Sequence, residues 1–183
     1  ESAQAIVELG ALGVHTVMLS GDTQAAAQAV AQDIGLSEAR GNLLPEDKQT
    51  AIADLKTRYG IVGMVGDGVN DAPALARADI GMAIGSGTDI AIESADIVLM
   101  HSDLRDISRA IRLSRHTMRN IRQNLLWAFG YNAALIPVAA GVLVPFGGPA
   151  LSPMLAAGAM ALSSVFVLTN ALRLRRVPPV RAE

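Results

Sequence analysis

The sequence predicts a doubly wound α/β domain built on a parallel sheet, followed by an all-α helical hairpin of membrane-crossing length. Three observations predict it. Short apolar runs alternate with helical patterns through the first hundred residues. Charge divides sharply, with five Lys/Arg against fifteen Asp/Glu in residues 1–103 and ten Arg against Asp106 and Glu183 in residues 104–183. From Gln123 to Leu172 there is no Asp, Glu, Lys, Arg or His at all. Such an alternation calls for parallel strands joined by crossover helices, and such a charge-free stretch for a hydrocarbon environment.

The elements follow in order. Ser2–Leu9 reads as a helix, and Val14–Leu19 as a buried strand ending at Ser20-Gly21-Asp22-Thr23. Gln24–Ile34 is an Ala/Gln-rich helix stopped by Gly35. Pro45 opens a helix to about Tyr59, with Glu46 and Asp47 in its first turn, where the dipole favours acids. Ile61–Val65 is a strand broken by Gly66-Asp67-Gly68. A short helix at Ala72–Ala78, a strand at Ile80–Ile84, a turn at Gly85-Ser86-Gly87, a helical turn at Asp89–Ser94 and a last strand at Ile97–Met100 complete the front. The whole chain of 183 residues is 51% hydrophobic and 17% charged, which excludes disorder and collagen-like repeats. It has no Cys, which excludes disulfides, thiolate metal sites and a Cys nucleophile. Glu1–Gly10 carries no signal pattern.

In open parallel sheets, chemistry sits beyond the carboxyl ends of the strands. Three polar clusters fall there or feed into it: Ser20-Gly21-Asp22, Pro45-Glu46-Asp47-Lys48, and the glycine-rich run Gly66-Asp67-Gly68-Val69-Asn70-Asp71-Ala72-Pro73-Ala74-Leu75. A hydroxyl and a lysine bind phosphoryl oxygens, and paired acids hold a hard Mg²⁺. Singly, each has a plainer reading: Ser20 as a helix cap, Lys48 as a solvated lysine, Gly-Asp-Gly as an ordinary turn.

The order Ser-Gly-Asp, Pro-x-x-Lys, Gly-Asp-Gly-x-Asn-Asp-x-Pro-Ala-Leu resembles the phosphorylation domain of P-type ATPases, a branch of the haloacid dehalogenase-like phosphohydrolases. The resemblance implies that Ser20 and Lys48 contact the phosphoryl group and that Asp67 holds Mg²⁺. Asn70 and Asp71 would complete the loop, with Asp71 a second Mg²⁺ candidate, and Asp22 would help couple domain movements. Most members carry Thr where this chain has Ser20, and both offer a hydroxyl. The family's phosphorylated aspartate lies in an Asp-Lys-Thr-Gly-Thr motif that is absent here, as is the domain that binds ATP. Glu1 stands where a start would carry Met. The expectation is a C-terminal fragment of a longer pump, inactive alone because it lacks its nucleophile.

Ser102 or Asp103 caps a helix beginning near Leu104. Arg105, Arg109, Arg112, Arg115, Arg119 and Arg122 recur at spacings of three and four on one side, with Ile107, Ile111, Met118, Ile121 and Leu125 opposite. Nucleic acid is a poor partner for this stripe, because aromatics are missing and the acidic front repels phosphates. A bilayer with anionic headgroups suits it better. Leu125–Val144 and Pro153–Leu172 each match the ~20 residues that cross ~30 Å of hydrocarbon. A central charge there would cost roughly 2.5–3.5 kcal/mol. Arginines flank both outer ends and avoid the Pro145–Pro149 turn, which places both chain ends in the cytosol and the turn outside. The domains expected are therefore 1–103, a basic connecting helix at 104–124, two spans within 125–172, and a cytoplasmic tail at 173–183.

Tyr131, Asn132, Met160, Ser163 and Ser164 interrupt the apolar spans. Small and polar residues there serve tight helix packing, or they mark a transport pathway, and a thioether suits Cu(I). The string from Asn124 to Asn132, followed by Met160-x-x-Ser163-Ser164, resembles the last two spans of copper-class heavy-metal P-type ATPases. Zinc-class relatives typically carry a carboxylate in the final span, and none is present here. The resemblance implies that Tyr131, Asn132, Met160 and Ser164 belong to a Cu(I) site in a plasma or inner membrane pump. Its partners would be the bilayer, the upstream remainder of the pump and a copper chaperone. The alternatives are a pump for Ag(I) or Zn(II), or a soluble haloacid dehalogenase-like phosphatase.

Overall fold

The computed structural model describes residues 1–85, 88–148 and 152–176. Ser86 and Gly87 of the predicted turn, Pro149 of the predicted interhelical turn, and tail residues 177–183 lie outside the described residues. The chain divides into two compact units, Glu1–Ser108 and Arg109–Glu183.

The first unit is a parallel α/β domain. Helix α1 (Ser2–Ala11) leads to β1 (Val17–Leu19), α2 (Gln24–Ile34), β2 (Glu38–Arg40), α3 (Pro45–Tyr59) and β3 (Gly63–Gly66). A 3₁₀ turn at Val69–Asp71 runs into α4 (Ala72–Arg77), followed by β4 (Ile80–Ile84), α5 (Asp89–Glu93) and β5 (Ile97–Leu99). Local chemistry sets the ends. Thr23 Oγ1 accepts the N–H of Ala26 to cap α2, and Gly35 closes it at φ 78°, a left-handed conformation that glycine adopts without a steric penalty. Pro45 starts α3 with its φ preset, and Asp47 Oδ2 accepts the N–H of Leu44 at 2.9 Å. Thr88 Oγ1 caps α5 by accepting from Ala91.

All strand pairs are parallel, but they form two sheets, β1-β2 and β3-β4-β5, rather than the single sheet expected. Among the described residues β1 pairs only with β2, and β3 only with β4. Leu19 of β1 nonetheless packs on the same small core as Met64 of β3, with Ile52, Ala74, Leu75 and Ala91. Strand β2 is not predicted by the sequence, because Glu38-Ala39-Arg40 has no apolar pattern. That strand is fixed instead by its ladder to Val17–Leu19 and by the Arg40 guanidinium, which binds Glu38 and Asp54. Strand β3 starts at Gly63, later than predicted, and Ile61 is exposed.

Helix α6 runs unbroken from Arg105 to Ala139, so the connecting helix and the start of the first predicted span are one element. Asp103 Oδ1 caps its first turn by accepting the Arg105 N–H at 2.9 Å. The helix ends just past Pro137, whose ring removes a donor and crowds the preceding turn. Gly141 then reverses the backbone at φ 82°, and Val144–Phe146 is a 3₁₀ turn. Helix α7 (Pro153–Leu172) occupies the second predicted span.

Among the described residues no helix is long and apolar enough to cross a membrane, so the hairpin of two membrane-crossing helices is not seen as predicted. The helical part of the first predicted span, which begins at Leu125, stops at Ala139 instead of Val144. At 1.5 Å per residue it spans about 22 Å, short of ~30 Å.

Candidate active site

Ser20 stands at the carboxyl end of β1. Its N–H donates to the Arg40 carbonyl at 2.9 Å, and its carbonyl accepts from Leu43 N–H at 3.1 Å, so β2 and the loop after it pin the residue. Its Oγ donates to Asp22 Oδ2 at 3.2 Å and accepts the Asp22 N–H at 3.1 Å. The hydroxyl is thus oriented by an exposed carboxylate two residues on. The neighbouring segment is clamped by Gln24, whose amide donates to Ala39 O at 2.9 Å and accepts from Gly41 N–H at 2.6 Å. A Cβ at Gly41 would lie 2.5 Å from Gln24 Cα, so only glycine allows that approach.

Lys48 lies in the first turn of α3, and Asp71 at the junction of the 3₁₀ turn and α4. The two meet across 23 residues: Nζ donates to Asp71 Oδ1 at 2.7 Å, and each side chain is only 14% exposed. The backbone has been shaped around this contact. A Cβ on Gly66 would stand 2.6 Å from Asp71 Cβ and 2.9 Å from Oδ2. Asp71 N–H donates to Gly68 O at 3.0 Å, and Thr88 N–H to Asp67 O at 2.9 Å, tying the loop to itself and to the start of α5. Asp67 and Asn70 are exposed on that loop, and the Asp67 carboxylate makes no hydrogen bond or ion pair among the described residues.

The structure therefore joins Ser20 with Asp22, joins Lys48 with Asp71, and carries Asp67 and Asn70 on the Asp71 loop. Among the described residues no hydrogen bond or ion pair links the first pair to the second. The carboxylates of Asp22, Asp67 and Asp71 are hard oxygen donors of the kind that suits Mg²⁺, which keeps several of its own waters. Among the described residues no group of three or more His, Asp or Glu lies close enough to hold a metal ion, and Asp71 Oδ1 already engages Lys48. The residues fit part of a Mg²⁺ shell, with Asp67 the carboxylate left open.

In the second unit, two of the residues expected to bind metal, Asn132 and Ser164, form hydrogen bonds within their own helices. Asn132 Nδ2 donates to Ala128 O at 2.7 Å, and Ser164 Oγ to Met160 O at 3.2 Å. These are back-bonds one turn earlier, the usual resting arrangement of such side chains. Met160 is exposed and Tyr131 half-buried. No hydrogen bond among the described residues joins Tyr131 or Asn132 of α6 to Met160, Ser163 or Ser164 of α7.

Sequence reasoning missed an amide cluster that does join these helices. Asn120 Nδ2 donates to Asn170 O at 2.6 Å, Asn124 Nδ2 to Asn120 Oδ1 at 3.1 Å, and Asn170 Nδ2 to Asn124 Oδ1 at 2.9 Å. Trp127 stacks on Phe166 nearby, with centroids 5.5 Å apart. The available signal was Asn120 and Asn124 one turn apart on a helix face otherwise rich in arginine.

Comparison with known proteins places these features in context. Residues 1–79 match the family described as haloacid dehalogenase-like hydrolase. A copper-exporting P-type ATPase of Legionella pneumophila is 57% identical over 95% of this chain and 24% of its own length. A silver exporting P-type ATPase of Salmonella typhimurium is 54% identical over 94% of this chain and 21% of its own length. Among solved structures, a zinc-transporting PIB-type ATPase in its E2.Pi state matches at a TM-score of 0.81 and 45% identity, over 94% of this chain and 27% of that one. The chain thus spans about a quarter of the length of the curated relatives it matches.

Proposed function

Because this chain belongs to the P-type ATPases, we propose that it is the C-terminal part of a Cu(I)-exporting pump. It would supply phosphoryl-contacting and Mg²⁺-binding groups at one end and part of the metal path at the other. One observation carries the reading. The Gly66–Asp71 loop, with Lys48 seated on Asp71, shares a chain with fifty consecutive uncharged residues, Gln123–Leu172.

In this reading the Ser20 hydroxyl and Lys48 ammonium hold phosphoryl oxygens. Asp22 orients the hydroxyl, Asp71 orients the ammonium, and Asn70 completes the loop. Mg²⁺, held in part by Asp67, neutralises charge on the transferring group. No Asp-Lys-Thr-Gly-Thr string occurs in the chain, so the phosphorylated aspartate and the ATP-binding domain come from the upstream part of the pump. The open edges of β1 and β3 offer places for an upstream strand to join the sheets. The 183-residue chain alone releases no phosphate from ATP.

The uncharged segments at 125–144 and 153–172 sit in the bilayer of a plasma or inner membrane, with both chain ends cytosolic. Support comes from the arginines outside them and from side chains such as Leu126, Phe129 and Ile136, each about seventy per cent exposed (72%, 69% and 67%). Tyr131, Asn132, Met160 and Ser164 contribute to the Cu(I) site, with the cargo delivered by a copper chaperone. Zinc is the rival cargo, favoured by the TM-score of 0.81 to a zinc-transporting pump. The uncharged α7 argues against it, because a carboxylate-free site of thioether, hydroxyl and amide groups suits a soft monovalent ion. Metal-stimulated ATP hydrolysis by the complete pump separates the two. Stimulation by Cu(I) supports the proposal, and stimulation by Zn(II) but not Cu(I) overturns it.

A further inference from the structure

The second unit holds a cationic pocket that neither phosphoryl transfer nor metal transport uses. A cavity of about 140 Å³ lies between α6 and the end of α7 with the 3₁₀ turn that follows it (Arg173–Arg176), lined by His116, Arg119, Asn120, Gln123, Asn170 and Arg173 among others. Two of its lining residues, Asn120 and Asn170, belong to the amide cluster in which Asn120, Asn124 and Asn170 bond to one another across the two helices. The side chains of His116, Arg119, Gln123 and Arg173 make no hydrogen bond or ion pair among the described residues, and from Ile107 to Ala182 the sequence contains no Asp or Glu. Two guanidinium groups therefore converge on a cavity whose lining holds no carboxylate among the described residues. A second, larger recess of about 560 Å³ shares Arg119 and Gln123 with the first and adds Arg122 beside the exposed apolar Met118 and Leu126.

We propose that these joined recesses bind the headgroup phosphate of an anionic phospholipid, with an acyl chain along Met118 and Leu126. The forked N–H groups of arginine match phosphate oxygens in pairs. The position is also right for a lipid. Gln123 opens the uncharged stretch and Arg173 directly follows it, so both lie where the polar headgroups would meet the hydrocarbon on the cytosolic side. A free phosphate ion would satisfy the guanidinium groups but leave Met118 and Leu126 in water. The site rests on the membrane placement proposed above.

The test uses the complete pump, purified and placed in nanodiscs of phosphatidylcholine with or without phosphatidylglycerol, with bound lipid read by native mass spectrometry. The expected result is retention of discrete phosphatidylglycerol adducts over phosphatidylcholine, weakened about fivefold for each of Arg119→Gln and Arg173→Gln. Arg173 is exposed at a helix end, so its variant folds even if Arg119→Gln does not. Arg119→Lys keeps the charge but loses the fork, and is expected to retain lipid at an intermediate level. Equal retention of the two lipids, or unchanged retention in both glutamine variants, overturns the proposal. Displacement of the adducts by glycerol phosphate assigns the pocket to a soluble anion and overturns it too. Carbonate extraction of the pump from native membranes before purification would instead defeat the membrane placement itself, which separates the two failures.

Discussion

The Lys48–Asp71 contact gives the most exacting prediction. At 2.7 Å, with both side chains 14% exposed, the gross Coulomb attraction at an effective dielectric of about 20 is about 6 kcal/mol. Desolvation and side-chain ordering offset most of it, and hydrogen bonds between charged groups net about 1.5–3 kcal/mol. Lys48→Met strands the Asp71 carboxylate in a mostly closed site, and is expected to destabilise the α/β unit by about 2–3 kcal/mol. For a chain of this size that lowers Tm by about 4–12 °C. Asp71→Asn alone leaves the ammonium without its anion. The double variant removes both charges, so its loss is smaller than the sum of the single losses by about 2 kcal/mol. The assay is urea unfolding of the four proteins followed by far-UV circular dichroism, because the single tryptophan, Trp127, lies in α6 and reports the other unit. Losses that add within about 0.5 kcal/mol would show that the two groups do not act as a pair, and the loop would lose its organising contact.

Other predictions follow from the same geometry. Gly66→Ala places a Cβ 2.6 Å from Asp71 Cβ; it should cost about 1–3 kcal/mol in unfolding experiments and impair phosphorylation in the complete pump. Asp79 is held below its ordinary value of 3.8 by hydrogen bonds from Lys56 and from the Val62 N–H. Its contribution to stability is therefore complete above that pH and is lost as pH falls through the depressed folded value. Asp79→Asn should flatten the acid limb of the stability profile below about pH 4 while leaving its neutral limb parallel to that of the parent chain. Asn124→Leu breaks two hydrogen bonds of the amide cluster, and should loosen α6 from α7 by about 0.6–1.7 kcal/mol, read as a lower thermal midpoint in detergent. Met160→Leu in the complete pump should keep the apolar volume yet reduce Cu(I)-stimulated ATP hydrolysis.

How much of this was legible depended on the range of the signal. Strand β4 matched because Ile80–Ile84 is an apolar run bounded by turn residues, and α2 matched because Thr23 and Gly35 mark its ends. Strand β2 was hidden because Glu38-Ala39-Arg40 owes its conformation to a partner strand and to ion pairs, which leave no periodicity in the sequence. Splitting α6 at residue 124 followed composition, but nothing between Arg105 and Ile136 breaks a helix, and Pro137 is the first residue that does. The residues proposed to contact phosphoryl groups could be named only through the resemblance of the Gly66–Leu75 run to a known motif. That Lys48 meets Asp71 rather than facing solvent depends on packing between α3 and α4. The amide cluster joins positions up to 50 residues apart, and single-chain periodicity carries no trace of such a contact.

Asp67 is the carboxylate that the fold leaves open on the loop proposed to bind Mg²⁺, and its role decides the proposal. The measurement is formation of the acid-stable phosphoenzyme from radiolabelled ATP by the complete pump, with Mg²⁺ and Cu(I), for the parent protein and for Asp67→Asn. The parent is expected to become labelled and the variant to remain unlabelled at the same protein concentration. Undiminished labelling of Asp67→Asn would contradict the assignment of this loop as the Mg²⁺-binding element of the pump.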